Sequence, residues 1–112
     1  MSIEFEGKTI ETTDTGFLVN TDDWSEGLAR ELARSQGIEL EQAHWDVVHY
    51  LRDEYFNNAG NQPNNRTMLK DMGARWGKKI SSKEMYELFP GNPSKQAGLI
   101  SGLPESMRKG GY

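Results

Sequence analysis

The sequence contains no cysteine among its 112 residues. Without a thiol, the chain as given can form no disulfide, no thiolate metal site and no persulfide, and it offers no thiol nucleophile. It also has no apolar run near the roughly 20 residues that a membrane-spanning helix needs. Its first residues lack the basic and hydrophobic stretches of a secretory signal. We therefore expect a cytoplasmic protein.

The residues that are present suffice for one small domain. The chain is 35% hydrophobic and 27% charged, and it carries three Trp, four Tyr and four Phe. This composition supports a small core and argues against disorder. The length fits a single domain over residues 1–112, and a core of this size leaves little room for a large buried active site.

The hydrophobic pattern predicts an α+β, mostly helical fold. Alternation at residues 3–6 predicts a β-hairpin within residues 1–19, with a turn near Gly7 and a further short strand at 17–19. Apolar residues at helical spacing then predict a small orthogonal helix bundle within residues 23–102. Its helices are expected over residues 23–36, 41–58, 66–77, 82–89 and 94–101. Pro104 and the two glycines before the C-terminus predict a flexible C-terminal arm over residues 103–112.

Charge is divided unevenly along the chain. Residues 1–59 carry four basic and thirteen acidic side chains, whereas residues 60–112 carry nine basic and four acidic ones. This asymmetry favours an anionic partner for the C-terminal half, although a dipolar surface without a partner explains it equally well. The densest part of the basic half comprises Arg66, Lys70, Arg75, Lys78 and Lys79.

The third and fourth predicted helices resemble a helix-turn-helix, because a short glycine-containing turn joins them. The candidate nucleic-acid contacts in this unit are Arg75, Lys78, Lys79 and Lys83. The second helix, however, carries Glu84 and Glu87 and offers no Arg, Asn or Gln that could read a base edge. The pattern therefore favours contact with a nucleic-acid backbone, or with an acidic protein, over sequence-specific reading.

No pattern of residues predicts a metal, a cofactor or a catalytic group. His44 and His49 are five residues apart and so do not share the helix face of a metal-binding pair. The glycines fit no phosphate-binding loop, and Ser81 and Ser82 fit a helix N-terminus better than a nucleophile. Trp24, Trp45 and Trp76 fall on apolar stripes, which favours core packing over stacking on bases.

Several short segments, in order along nearly the whole chain, resemble the DsrC/TusE/DsvC family of sulfur-relay proteins, which includes the gamma subunit of dissimilatory sulfite reductase. The most specific are Leu88-Phe89-Pro90, Lys95-Gln96-Ala97 and Gly102-Leu103-Pro104, with Phe5-Glu6-Gly7-Lys8 and His44-Trp45-Asp46-Val47-Val48 before them. The resemblance implies a helical bundle with an N-terminal β-hairpin and a mobile C-terminal arm. It thus agrees with the fold expected from the pattern alone.

The resemblance also implies a chemistry that this sequence lacks. The family carries sulfur on a cysteine at the penultimate position of the arm, and DsrC-type members have a second cysteine directly after Lys-Gln-Ala. Here those positions are Gly111 and Gly98. The arm departs from the family pattern in two further ways. Glu105 and Ser106 follow Gly102-Leu103-Pro104 where the family has Lys-Pro, and the stretch from Gly98 to Gly111 is longer than in the family. Cysteine-free relatives are expected to be regulatory or binding proteins.

Three hypotheses follow from these observations. The first is a monomeric, non-enzymatic module that docks on sulfur-relay or sulfite-reductase-type proteins and regulates them. The second is a nucleic-acid-binding regulator that acts on DNA or tRNA. The third, sulfur relay in tRNA 2-thiolation or dissimilatory sulfite reduction, requires that cysteines of the natural protein have been replaced in this sequence. The contact residues expected for the first are Arg108, Lys109, Gly110, Gly111 and Tyr112 in the arm, with Lys95, Arg66 and Lys70.

Overall fold

A computed structural model describes residues 1–105 and shows an α+β, mostly helical fold. A two-stranded sheet comes first, one turn of 3-10 helix follows at Thr21–Asp23, and five α-helices complete the described chain. The elements are β1 (Ser2–Phe5), β2 (Lys8–Glu11), α1 (Glu26–Ser35), α2 (Gln42–Asn57), α3 (Asn65–Trp76), α4 (Ser82–Leu88) and α5 (Pro93–Ile100). Within residues 1–105 no helix is long and apolar enough to cross a membrane.

The predicted hairpin is confirmed, with an antiparallel register that pairs Ile3 with Ile10. Its tight turn holds Glu6 and Gly7 at φ values of 50° and 78°. Two consecutive left-handed residues give the turn that matches the twist of the flanking strands. The strand expected at residues 17–19 is reduced to a single bridge between Thr12 and Leu18. The chain leaves the sheet there because the 3-10 turn, which Asn20 caps, begins at Thr21.

The helices lie where the sequence predicts them, and four of the five starts differ by one to three residues. The first helix begins at Glu26 rather than at residue 23, because the Ser25 hydroxyl accepts from the backbone N–H of Leu28 at 3.1 Å. The third begins at Asn65 rather than at residue 66, because the side chain of Asn64 caps it and accepts from the backbone N–H of Thr67. The fifth begins at Pro93, which suits the first turn of a helix because proline has no N–H to leave unpaired.

Helix α5 forms the centre of the molecule. Seven of its eight residues are buried, and Lys95 is the exception. It packs against α1, α2, α3 and α4. A helix that is buried nearly all round belongs to the core of a bundle. The Lys-Gln-Ala segment and Gly98 therefore lie at the centre of the fold and not on an exposed loop.

The first three residues of the predicted C-terminal arm, 103–105, belong to the body of the protein and are not a flexible arm. Gly102, with φ +72°, donates its N–H to Leu99, and Leu103 donates its N–H to the carbonyl of Gly98. These two bonds form a Schellman motif, which turns the chain back over the end of α5. Leu103 is fully buried as a result. The rest of the predicted arm, residues 106–112, lies outside the described residues.

Two polar contacts fix the chain just after this motif. The side-chain amide of Gln62 donates to the carbonyl oxygen of Pro104 at 2.8 Å. The hydroxyl of Thr15 donates to the carboxylate of Glu105, also at 2.8 Å. These contacts join the loop after β2 and the loop before α3 to the end of the described chain. Pro104 and Glu105 are thus held against the body of the protein.

Candidate functional site

Gly98, one of the two positions at which the resemblance places a sulfur-carrying cysteine, lies on buried helix α5. A Cβ atom at Gly98 would meet no heavy atom within 4 Å beyond its own helix and chain neighbours. Its φ lies outside the left-handed region, so the backbone also accepts a side chain. The fold therefore has room for a residue larger than glycine here. Gly111, the other position, lies outside the described residues with Arg108, Lys109, Gly110 and Tyr112.

The C-terminal end of α5 is held by Arg52 and Trp24. The Arg52 guanidinium donates to the carbonyl oxygen of Ser101 at 2.7 Å, and the indole N–H of Trp24 donates to that of Ile100 at 2.9 Å. The Arg52 Cζ atom lies 3.9 Å from the centroid of the Trp24 ring and 4.8 Å from that of Phe56. Burial lowers the pKa of Arg52 from its usual value. A cation at a helix C-terminus is favourable, because the last carbonyls carry partial negative charge.

The other two tryptophans also combine core packing with polar contacts. Trp45 lies 5.2 Å from the Arg30 guanidinium and stacks on His49 at 5.9 Å. The Trp76 indole donates to Asp46 at 2.8 Å. All three tryptophans are partly buried and pack against the core, as the apolar stripes predict. None of them is an open stacking surface for bases.

The two histidines have separate structural surroundings. His44 is buried, accepts from the backbone N–H of Glu41 through Nδ1 and donates from Nε2 to the carbonyl of Leu88. It thereby joins the start of α2 to the end of α4. His49 is exposed, 3.7 Å from Glu26. Within the described part of the chain, no three His, Asp or Glu side chains cluster in a way that could hold a metal.

The basic candidates divide into a groove and three separate positions. Four of them share one groove of about 450 Å³ on the outer side of α3 and the α3–α4 turn. These are Arg66, Lys70, Lys78 and Lys79. Arg75 lies over the ring of Tyr50 at 5.0 Å and 4.0 Å from Asp53. Lys83 is exposed on α4, and Lys95 lines a different pocket beside Gln96. The groove thus joins two residues expected to bind a partner protein with two expected to bind nucleic acid.

Helix α4 presents acidic side chains where a DNA-reading helix would need basic or amide ones. Glu84 and Glu87 are exposed, and both border a second groove, of about 410 Å³, with Trp76, Met85 and Leu88. In a helix-turn-helix protein this helix would enter the major groove, close to phosphates on either side. Two carboxylates there would oppose binding. The structure therefore gives the nucleic-acid hypothesis no support.

The sequence pattern does not predict a partly buried hydrogen bond that joins α2 to α3. The Tyr50 hydroxyl donates to Asp71 at 2.5 Å. Burial, followed by this hydrogen bond and the Asp71 charge, raises the pKa of Tyr50 well above its usual value. The apolar residues at helical spacing on α2 are Trp45, Val48, Leu51 and Tyr55, and Tyr50 is not among them. An aromatic residue next to Leu51 indicates burial, but it does not identify a hydrogen-bond partner.

Comparison with known proteins gives a consistent result. The family model described as "DsrC like protein" matches residues 4–108. The sulfurtransferase TusE of Yersinia pestis is 41% identical over 107 residues, which cover 95% of this chain and 97% of the relative. The NMR structure of Allochromatium vinosum DsrC superposes with a TM-score of 0.87 at 36% identity, covering 96% and 98% of the two chains. The oxidized gamma subunit of dissimilatory sulfite reductase from Archaeoglobus fulgidus gives 0.86 at 30% identity, with the same coverage.

Proposed function

The chain belongs to the DsrC-like family of sulfur-relay proteins, and from that premise we propose that it binds the family's partner proteins without carrying sulfur. In this role it occupies the place of a cysteine-bearing relative and so regulates the flow of sulfur. Its relatives include proteins named as sulfurtransferases and as a sulfite reductase subunit. The partners proposed for this chain are accordingly relay or sulfite-reductase-type proteins.

The observation that carries the proposal is a retained fold in a sequence without a thiol. The described body matches the relatives over almost its full length, whereas the cysteine count is zero. Only a thiolate can accept and hold a persulfide sulfur among the side chains of proteins. The five methionines do not substitute, because a thioether has no proton to lose and forms no persulfide. The chain is therefore proposed to be a binding protein and not an enzyme.

We assign docking to the C-terminal segment and to three basic side chains of the body. The segment comprises residues 106–112, with Arg108, Lys109, Gly110, Gly111 and Tyr112 as its proposed contacts. Arg66, Lys70 and Lys95 are the proposed contacts of the body, and all three are exposed. Positive charge at the edge of an interface steers a protein towards an acidic rim and raises the rate of association.

A competition experiment tests this function. A fluorescently labelled, cysteine-bearing relative is bound to its own reductase or relay partner, and the unlabelled full chain is titrated in while anisotropy is recorded. We expect the chain to displace the relative. The double variant Arg108→Glu with Lys109→Glu should compete about tenfold less well, which corresponds to roughly 1.4 kcal/mol. Failure of the wild-type chain to compete would exclude docking at the shared site.

A sulfur-transfer measurement separates docking from carriage. The partner is loaded with ³⁵S persulfide and mixed with the wild-type chain or with the variant Gly111→Cys. We expect no label on the wild-type chain and clear label on the variant, because the variant regains a thiol at the position that the resemblance assigns to the carrier cysteine. Label on the wild-type chain would overturn the non-carrier assignment.

A further inference from the structure

We propose that the groove formed by Arg66, Lys70, Lys78 and Lys79 binds an acidic segment of a partner protein that also inserts an apolar side chain. The described residues of its lining belong to α3 and the α3–α4 turn. Two of them, Arg66 and Lys70, are also contacts in the proposed function, so this inference rests on that proposal for the body of the protein and deepens it, but it does not depend on docking of the C-terminal segment. It assigns the groove a ligand of defined chemistry.

No ion pair within residues 1–105 compensates the charge of the groove. Its four cationic side chains are exposed, and no carboxylate among the described residues lines it, although Lys78 also borders the second groove with Asp46, Glu84 and Glu87. The three ion pairs among residues 1–105 lie elsewhere and involve Arg34, His49 and Arg75. Arg66 and Lys70 are spaced i and i+4 on α3, where like charges destabilise a helix. Four cations that repel one another, in a chain whose net charge is −4, indicate a site for an anionic ligand.

The floor of the groove is apolar. The four uncharged lining residues, which we call the floor, are Leu69, Gly73, Ala74 and Ile80. The turn after α3 folds back over this floor, since the N–H of Lys78 donates to the carbonyl of Gly73 at 3.0 Å. A Cβ at Gly73 would lie only 2.9 Å from the Lys78 carbonyl oxygen, so glycine is required for this close approach. The same fold-back brings Lys78 and Lys79 into one groove with Arg66 and Lys70.

The floor decides between a protein and a nucleic acid as the ligand. Proteins that hold single-stranded nucleic acid combine positive charge with aromatic rings on which bases stack, and this floor has only aliphatic carbon. A helical peptide with carboxylates beside a leucine-like side chain satisfies both the rim and the floor. The groove therefore fits an acidic, amphipathic protein segment better than a phosphodiester backbone.

The test uses the full chain and a synthetic helical peptide of about four turns in which Glu and Leu alternate at helical spacing. Binding is followed by fluorescence anisotropy of the labelled peptide at about 0.1 M salt, where surface charges still interact over roughly 10 Å. We expect saturable binding that Lys70→Glu or Lys78→Glu weakens about tenfold or more. The matched control is Lys83→Glu, which makes the same charge change on exposed α4 outside the groove and should bind as the wild type does.

Further arms of the experiment identify what the groove recognises. Replacing Leu by Ser in the peptide should weaken binding, because the floor then loses its apolar contact. Circular dichroism confirms that each variant is folded, and the charge-neutralising Lys79→Gln provides a milder change at the same site. Equal losses in Lys70→Glu and Lys83→Glu, no binding of the peptide, tighter binding of an RNA of equal length, or groove-dependent self-association in sedimentation would each overturn the proposal.

Discussion

Gly73 and Gly98 both lie inside helices, but a side chain would meet very different surroundings at the two positions. At Gly98 a Cβ has open space, whereas at Gly73 it would lie 2.9 Å from the backbone oxygen of Lys78. Backbone cannot move aside as a flexible side chain can. One glycine is thus required by the fold and the other is not.

We therefore expect opposite effects of the same substitution. Gly98→Ala should stabilise the protein by up to about 1 kcal/mol, because alanine loses less conformational entropy than glycine in a helix interior. Gly73→Ala should destabilise it, because the α3–α4 turn must shift to relieve the contact. Urea denaturation of the two variants beside the wild type measures both changes. A destabilised Gly98→Ala would mean that the space beside Gly98 is not accessible to a side chain.

The sequence predicts the role of residues that depend on their chain neighbours. It does not predict the role of residues that depend on which face of a helix they occupy. Ser81 was predicted as a cap and accepts from the N–H of Glu84. Arg75 was grouped with the other basic residues, but it follows Arg66 by nine positions, about two and a half helical turns, and so faces the opposite side of α3. There it meets Tyr50 and Asp53 and not the groove.

At the level of elements, one side chain joins three segments. Arg52 on α2 contacts the Trp24 ring after the 3-10 turn and donates to Ser101 at the end of α5. Its planar guanidinium can stack and donate at the same time, which the compact ammonium of lysine cannot do. The orientation of α5 relative to α2 therefore depends on this arginine.

Arg52→Ala should lower the free energy of unfolding by about 1–3 kcal/mol, since it removes a hydrogen bond to a carbonyl together with a cation–π contact. Arg52→Lys should recover only part of the loss. Arg30→Ala is the matched control, because Arg30 is exposed and makes a cation–π contact with the ring of Trp45. Thermal or chemical denaturation compares the three. An equal effect at both arginines would contradict the special role of Arg52.

The limits of elements were harder to predict than their existence. Asn20 and Ser25 both suit a helix cap, and sequence alone does not reveal that the first caps a 3-10 turn and the second caps α1. The predicted end of the last helix at residue 101 lies within one residue of the observed end at Ile100. The pattern does not predict the Schellman motif at Gly102 or the burial of Leu103 that follows from it.

For the molecule as a whole, Leu103, Pro104 and Glu105 belong to the body of the protein. We expect a chain that ends at Gly102 to be less stable than one that ends at Glu105 by several kcal/mol, about 2–5 for the loss of a buried leucine alone. Both variants lack residues 106–112, so the comparison isolates residues 103–105. Differential scanning calorimetry of the two chains measures the difference. Identical melting temperatures would contradict the burial of Leu103 in the core.

Most of the architecture could be predicted, because the alternating and helical patterns and the family resemblance agree along the chain. The groove could not be predicted in the same way. Arg66 and Lys70 are neighbours by helical spacing, but Lys78 and Lys79 join them only through a turn whose geometry depends on the absence of a side chain at Gly73. Charge clustered in sequence therefore indicates the half of the molecule that carries the groove, but not which basic side chains share it.

The open space at Gly98 also determines which mutational paths are open to this chain. A glycine codon that ends in a pyrimidine becomes a cysteine codon by a single base change, and the backbone at Gly98 accepts the new Cβ. The same change at Gly102 would place a Cβ 2.4 Å from a ring atom of Trp24, at a φ of +72°. A cysteine can thus be gained or lost at position 98 by one base change without a clash at its Cβ. The same change at Gly102 would produce such a clash.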